Sequence, residues 1–317
     1  MTHSQTSKVS VIGAGAVGAS MAYAMLIRES AREVVLYDVN EAKVTAEVLD
    51  LAHGTQFTGS SAISGGSDIA LTANSDVIVI TAGAKQNPGQ TRLELAGVNF
   101  SILKSLLPDL LKHSPEAIVV LVTNPCDVLA TAAMKLTGLP ANRIFSSGTV
   151  LDSSRLRWLL GERLGISTGN IHANIVGEHG DSEFVLWSQA TIGNVPLLEW
   201  KLADGSTLSR TELDEIAHSV KTAAYKVIEG KGATNFAIGL SGARIVEAIL
   251  NDENVILPVS SVLTDYRDIS GIAMSVPTLV NRNGAVRTIE VEMTPDEQLL
   301  FELSAGAIEN SLASLGL

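Results

Sequence analysis

A histidine lies in a polar bend between two glycines, where its imidazole could exchange a proton with a bound substrate. The bend reads GEHGDS over residues 177–182 and follows a short extended pattern. Imidazole titrates near neutral pH, so His179 is a candidate acid and base catalyst. An ordinary surface-loop histidine would fit the same bend. The sequence lacks HExxH spacing around His172 and His179, so we expect no metal site.

A carboxylate and a guanidinium stand close together in LDSSR, residues 151–155. A buried Asp152 hydrogen-bonded to the imidazole would orient His179 and stabilise its protonated form. Arg155 could bind a substrate carboxylate through two parallel hydrogen bonds. A helix cap at Asp152 and a solvated helical arginine are the alternative, and sequence spacing alone does not separate the two interpretations.

A glycine-rich turn directly after the first strand pattern predicts a dinucleotide site. Gly13, Gly15 and Gly18 form G-x-G-x-x-G at the start of a helix pattern, where backbone N–H groups and the helix dipole favour a pyrophosphate. Asp38 ends the next strand pattern, and its carboxylate would bind ribose hydroxyls and repel a 2′-phosphate, which favours NAD over NADP. The alternative is a glycine-rich corner without a nucleotide. Lys43 suits a solvated helix face as well as a cofactor contact.

The elements around these residues predict an α/β fold. Five short β-branched runs alternate with helix patterns at 16–28, 41–53, 93–113 and 127–136, which favours a Rossmann-type, doubly wound parallel sheet covered on both faces. After about residue 148 come helix patterns at 153–164 and 212–229, antiparallel strand patterns with a hairpin turn at Asn283-Gly284, and a final helix from about Pro295. We therefore expect a dinucleotide-binding domain over 1–148 and an α+β substrate domain over 149–317.

The composition excludes several classes of partner. The formal net charge is −12, and there is no basic run, so we expect neither nucleic acid nor membrane as a partner. A single cysteine, Cys126, rules out an internal disulfide, and the polar N-terminus has no apolar signal segment. These features favour a cytoplasmic location.

The ordered motifs resemble the lactate/malate dehydrogenase family. The resemblance runs from Lys8 to the final helix and is carried by VIGAGAVG, LYDVN, DLAHG, TAGAKQNPGQTRLEL, VTNPCDVL, GTVLDSSRLR, IVGEHGDSE and KGATNFAIG. It implies hydride transfer between NAD and a small 2-hydroxy acid, most simply the lactate dehydrogenase reaction that ends fermentative glycolysis.

The resemblance also implies roles for individual residues. His179 would give a proton to the pyruvate carbonyl and take one from the lactate hydroxyl, with Asp152 orienting it and Arg155 binding the substrate carboxylate. Arg92, in a segment resembling the family's lid, would bring its guanidinium to the carbonyl. The other residues expected at the substrate are Gln86, Asn124, Asp127 and Thr234. Residues expected to contact NAD, besides the glycines, are Val17, Asp38, Lys43, Gly83, Ala84, Ser105, Val122, Asn124 and Ser147.

One residue of the lid segment distinguishes two substrates. Gln86 stands where malate dehydrogenases resemble one another in having arginine. An unpaired second carboxylate buried in the site would cost roughly 3–5 kcal/mol. Gln86 therefore favours pyruvate and lactate, and a malate dehydrogenase or a broader L-2-hydroxy acid dehydrogenase is the alternative.

Two basic residues resemble a regulatory site. Arg157 and His172 match positions at which bacterial members bind fructose bisphosphate across a subunit interface, and the resemblance implies a homotetramer. Two paired cations would repel each other until a bis-phosphate neutralised them, so the ligand would favour the assembled state. Two solvated basic side chains are the alternative.

Overall fold

The computed structural model describes residues 7–84 and 92–317, and describes side chains in the second range from Glu94 onward. Its first half alternates strands and helices. The strands are β1 Lys8–Ile12, β2 Glu33–Tyr37, β3 Ala62–Gly66, β4 Val77–Ile80, β5 Ile118–Leu121 and β6 Ile144–Ser146. The helices are α1 Ala16–Arg28, α2 Glu41–Gly54, α3 Arg92–His113 and α4 Cys126–Thr137.

The second half mixes helices with short strands. Its helices are α5 Val150–Leu164, α6 Arg210–Lys231, α7 Phe236–Leu250 and α8 Pro295–Ser314. Its strands are β7 Ile171–His172, β8 Ile175–Val176, β9 Phe184–Val185, β10 Thr191–Ile192, β11 Val195–Pro196, β12 Val255–Leu257, β13 Ser260–Val262, β14 Ala273–Ser275, β15 Thr278–Asn281 and β16 Gly284–Thr288.

One eight-stranded sheet runs through both halves, in the order β14-β13-β6-β5-β4-β1-β2-β3. The six strands of the first half are parallel, and two late strands extend the sheet: β13 pairs antiparallel with β6, and β14 pairs antiparallel with β13. Three smaller antiparallel sheets lie in the second half. The predicted fold class is therefore confirmed, and the structure adds that late strands continue the parallel sheet.

Apolar residues cover both faces of this sheet because neighbouring side chains of a strand point to opposite faces. Val79 packs with α1 and α7 residues on one face, whereas Ile78 and Ile80 pack with α3 and α4 residues on the other. All three side chains are at most 2% exposed. This burial fixes the strand ends that carry the candidate site.

Most predicted helices have the expected position, and three features differ from the sequence prediction. The edge strand β3 and the helix α7 were not predicted, since AISGG is a poor strand sequence and α7 begins inside the KGATNFAIG motif. The hairpin register pairs Asn281 with Gly284, so the turn residues are Arg282-Asn283 and Gly284 begins β16. Gly284 has φ of +88°, which explains the glycine at that position.

Within the described residues, no helix is both long and apolar enough to cross a lipid bilayer.

Candidate functional site

The expected cofactor residues gather where parallel strands end. The glycine turn follows β1, Asp38 follows β2, and Val122 and Ser147 follow β5 and β6. In open parallel sheets the crevice outside the carboxyl ends of the strands is the usual ligand site. The topology therefore brings these residues to one edge of the sheet.

The three glycines of the turn are required for different reasons. Gly13 has φ of +107°, and a Cβ there would lie 2.7 Å from the backbone nitrogen of Ala82. A Cβ at Gly18 would overlap the Gly13 carbonyl oxygen. A Cβ at Gly15 would meet no protein atom within 4 Å. The protein itself thus requires Gly13 and Gly18, whereas the open space beside Gly15 fits the close approach of a pyrophosphate.

Asp38 is tied to this turn. Its Oδ2 accepts a hydrogen bond from the backbone N–H of Ala14 at 2.7 Å, and its Oδ1 accepts one from Asn40 at 2.9 Å. The carboxylate is partly exposed, so lone pairs remain for ribose hydroxyls. The residues present therefore fit NAD.

The other expected cofactor residues differ in exposure. Val17 and Val122 are partly buried, and Ser147 is buried. Lys43, Gly83, Ala84 and Ser105 are exposed, with Lys43 on α2 and Ser105 on α3.

A buried carboxylate joins the two candidate catalytic groups. Asp152 is 1% exposed in the first turn of α5. Its Oδ2 lies 2.6 Å from Nδ1 of His179, and its Oδ1 accepts a 2.6 Å hydrogen bond from Nη1 of Arg155. One carboxylate thereby fixes both an imidazole and a guanidinium, with Nε2 of His179 as the ring's other proton site.

These contacts shift the protonation of the pair. Burial alone lowers the pKa of His179, but attraction to Asp152 and the hydrogen bond to it raise that pKa to about 9. Burial alone raises the pKa of Asp152, but the imidazole and the Arg155 guanidinium lower it below its usual value. The imidazole is therefore protonated at neutral pH and carries a proton that it can donate.

Asp127 hydrogen-bonds the backbone of the catalytic histidine. Its Oδ2 accepts a 2.7 Å hydrogen bond from the backbone N–H of His179, and its side chain is 1% exposed. Burial raises its pKa to about 6. The expectation that Asp127 lies at the substrate stays a prediction, and the structure shows that its carboxylate holds the backbone of the loop that carries His179.

Two further expected substrate residues lie at the ends of elements. Asn124 is exposed after β5, and a cis peptide bond joins it to Pro125. Thr234 is partly buried in the short link between α6 and α7. Gln86 and the side chain of Arg92 lie outside the described residues, and the backbone of Arg92 begins α3.

Sequence reasoning missed two buried polar residues. Asn99 on α3 is 2% exposed; its Oδ1 accepts a hydrogen bond from Ala84 N–H, and its Nδ2 donates to the Asn124 carbonyl, both at 2.7 Å. Glu183 is 5% exposed, and its Oε2 lies 3.9 Å from Nδ1 of His179. The signal for Asn99 was an asparagine inside the helix pattern at 93–113. Glu183 belongs to the string GEHGDSE, but that string does not indicate that its side chain points inward.

Two family models cover nearly all of the chain. The NAD binding domain of lactate/malate dehydrogenase matches residues 7–146, and the alpha/beta C-terminal domain of the same family matches residues 149–315. The chain belongs to the lactate/malate dehydrogenase family. The predictions of an NAD-dependent oxidoreductase and of NAD as its cofactor are thereby confirmed.

Individual relatives agree with this assignment. The chain is 49% identical to an L-lactate dehydrogenase of Bifidobacterium animalis subsp. lactis over 311 residues, covering 98% of this chain and 97% of that one. It is 43% identical to an L-lactate dehydrogenase of Synechococcus sp., covering 97% and 99% of the two chains. Two solved structures superpose with a TM-score of 0.94 at 36% identity, covering 98% of this chain and 99% of each of theirs. They are a lactate dehydrogenase from a Medee basin deep-sea metagenome library and the minor L-lactate dehydrogenase from Enterococcus mundtii.

The glycine turn gives a first test. We expect Gly15→Ala to weaken NADH binding by about tenfold or more, because the added methyl group occupies the space left for the pyrophosphate. Its stability should be unchanged or slightly higher, since φ of −75° suits alanine.

Gly18→Ala is the matched control and should lose about 1–3 kcal/mol of stability through overpacking. NADH fluorescence titration and thermal unfolding measure the two effects. Wild-type NADH affinity in Gly15→Ala would contradict this placement of the pyrophosphate.

Asn99 gives a second test. In Asn99→Ala the backbone groups of Ala84 and Asn124 lose their shared partner, and we expect kcat/KM to fall by about ten- to a hundredfold through misplacement of the site's walls. Asn142→Ala is the control: the Asn142 amide also donates to a backbone carbonyl at 2.7 Å, that of Asn283. Steady-state kinetics on both folded variants measure the effect. Equal losses in the two variants would argue against a specific role of Asn99.

Proposed function

We propose that this protein is an L-lactate dehydrogenase that reduces pyruvate with NADH to (S)-lactate and NAD, reversibly. The observation that carries the proposal is the buried Asp152, which holds His179 on one oxygen and Arg155 on the other. This arrangement supplies a proton donor and a carboxylate-binding cation side by side. A 2-oxo acid presents the two groups that these side chains recognise.

The charges balance for this reaction. When bound, NADH supplies the hydride that adds to the keto carbon. Protonated His179 gives its Nε2 proton to the keto oxygen, which becomes the lactate hydroxyl. Asp152 stabilises the imidazolium before transfer and keeps the neutral ring oriented afterwards. Solvent returns one proton to His179 in each cycle.

Arg155 binds the substrate carboxylate in this proposal. Its Nη1 is held by Asp152, and the guanidinium has further N–H donors in a fixed fork. Its side chain is 18% exposed, so the salt bridge to substrate forms in a largely desolvated place. The contact with Asp152 thus aims the fork before the substrate arrives.

The remaining substrate roles follow the resemblance to the family. We assign to Asn124 a hydrogen bond to the reacting oxygen, and to Thr234 a wall of the pocket. Arg92 is assigned, from its place in the sequence, to the polarised carbonyl. We assign residues 1–148 to cofactor binding and 149–317 to substrate binding. The free, buried Cys126 supports a cytoplasmic location.

Gln86 favours pyruvate over oxaloacetate in this proposal. Glutamine has no positive charge to pair with a second substrate carboxylate, and an unpaired buried charge costs roughly 3–5 kcal/mol. The chain shares the family with malate dehydrogenases, so this position carries the choice between the two substrates.

The substrate proposal has a direct test. Wild type should oxidise NADH faster with pyruvate than with oxaloacetate, and Gln86→Arg should raise kcat/KM for oxaloacetate by about a hundredfold, because arginine pairs with the second carboxylate. Gln86→Met, similar in length and uncharged, is the control and should give no such gain. A wild type that prefers oxaloacetate would replace the proposal with malate dehydrogenase, and a panel of larger 2-oxo acids would reveal a broader enzyme.

We further propose a homotetramer activated by fructose bisphosphate. Arg157 lies against the strand segment that carries His172: its Nε donates to the Ala173 carbonyl and its Nη2 to the Asn174 side chain, both at 3.0 Å. His172 itself is exposed. The guanidinium is thus held by the two residues that follow the exposed His172, and we propose that the two basic side chains bind the anion together. Four large apolar side chains on the neighbouring helices α1 and α7 are more than half exposed, which favours contact with another copy: Tyr23, Ile27, Phe236 and Leu240.

The regulatory proposal is tested by adding the bis-phosphate. It should lower the apparent KM for pyruvate several-fold, and Arg157→Gln should abolish the response while keeping the unstimulated reaction. Sedimentation should show the mass of four chains, and more completely with the ligand present. Arg163→Gln is the control. Arg163 lies further along α5 and forms an exposed ion pair with Glu212 of α6. An unchanged response in Arg157→Gln would exclude this site.

A further inference from the structure

A third acid lies beside the catalytic pair and has no part in the reaction described above. Glu183 immediately precedes β9 and is 5% exposed. Its Oε2 is 3.9 Å from Nδ1 of His179, and its carboxyl group hydrogen-bonds the Asp152 carboxylate. One side-chain nitrogen or oxygen atom from each of Asp152, His179 and Glu183 lies within 4.8 Å of the corresponding atoms of the other two. The histidine therefore has two buried carboxyl groups on the same side of its ring.

The two carboxyl groups cannot both ionise easily at this separation. A hydrogen bond between the two carboxyl groups requires that one of them carries a proton. The carboxyl group with the better cationic partners stays ionised. Asp152 has direct contacts with His179 and Arg155. Glu183 has no contact with a cation that is as short. Burial, and to a smaller extent repulsion from Asp152, raises the pKa of Glu183 to about 8. At neutral pH the proton is on Glu183, which donates to Asp152.

The charged groups around Glu183 come from three directions. Helix α5 contributes Asp152 and Arg155, its own loop contributes His179, and α6 contributes Lys221. Glu183 also helps to line a cavity of about 530 Å³. Besides Glu183 and Lys221, the titratable groups lining it are Asp181, Arg210, Asp214, His218, Asp296 and Glu297. Asp127 faces the imidazole from α4.

We propose that Glu183 is a positioning residue of the active site, which steadies Asp152 as a neutral hydrogen-bond donor and, once ionised, adds a second negative charge beside the His179 imidazole. This inference rests on the proposed function. Glu183 does not touch the substrate; it acts through Asp152 and His179. Its effect is on the pH range in which the histidine keeps its proton.

The sign of the effect follows from the charges. As the pH rises, Glu183 loses its proton, and the new negative charge favours the imidazolium. Ionised Glu183 raises the pKa of His179. Pyruvate reduction needs the protonated histidine, so Glu183 extends that reaction to higher pH. Glutamine at this position keeps an N–H donor for Asp152 but adds no charge.

The experiment compares pH profiles of kcat/KM for pyruvate. In Glu183→Gln we expect the alkaline fall in activity to move to lower pH by about one unit, with activity near wild type at pH 6.5, because a charge within about 4–6 Å shifts a pKa by one unit or more. In Glu183→Met the donor is lost as well, so the same shift should be joined by a fall in kcat of about tenfold at pH 6.5.

Glu297→Gln is the matched control. Glu297 is also buried and lines the same cavity, but its carboxylate accepts hydrogen bonds from Ser188 and Thr294 instead of contacting Asp152. Its pH profile should coincide with that of wild type. Thermal unfolding of every variant shows whether it is folded.

The outcomes separate the two proposals. A wild type that does not reduce pyruvate would refute the proposed function. An active wild type with an unmoved alkaline limb in both folded Glu183 variants would overturn the role of Glu183 and leave the proposed function intact. The same shift in Glu297→Gln would also overturn it, because the effect would then belong to the cavity as a whole.

Discussion

The site depends on one buried carboxylate that is never left without partners. Asp152 is almost fully removed from water, and an isolated ionised carboxylate there would be strongly unfavourable. The imidazole of His179 and the guanidinium of Arg155 each take one of its oxygens. The same two contacts that make its burial tolerable also set the positions of both cations and keep the imidazole protonated. Stability and chemistry are therefore coupled in the triad of Asp152, His179 and Arg155.

The fold brings the two parts of the triad together through the extended sheet. Asp152 lies in the helix that follows β6, whereas His179 lies in a loop that begins at Gly177. Gly177 pairs with Ser275 of β14, and the next residue, Glu178, donates its backbone N–H to Ser304 on α8. The antiparallel strands that extend the parallel sheet thus hold the catalytic loop against α5.

The cofactor side uses the same sheet edge in a simpler way. Gly13 donates its N–H to the Tyr37 carbonyl, and Asp38 accepts from Ala14, so the first two strand ends are joined through the glycine turn. Asn99 joins the segments that follow β4 and β5 through its hydrogen bonds with Ala84 and Asn124. Short polar contacts between strand ends give the crevice its shape before any ligand enters.

The sequence by itself determined the parallel sheet and most helices, and it made the glycine turn, His179, Asp152 and Arg155 candidates for the site, because these features are local patterns of spacing and polarity. Tertiary structure alone decided that β13 and β14 continue the sheet, that Asp127 supports the histidine backbone, and that Glu183 turns inward beside Asp152. Those are contacts between residues distant in sequence, or side-chain directions set by packing. A one-dimensional pattern shows which groups are available, and burial in the folded chain decides which of them meet and which keep their protons.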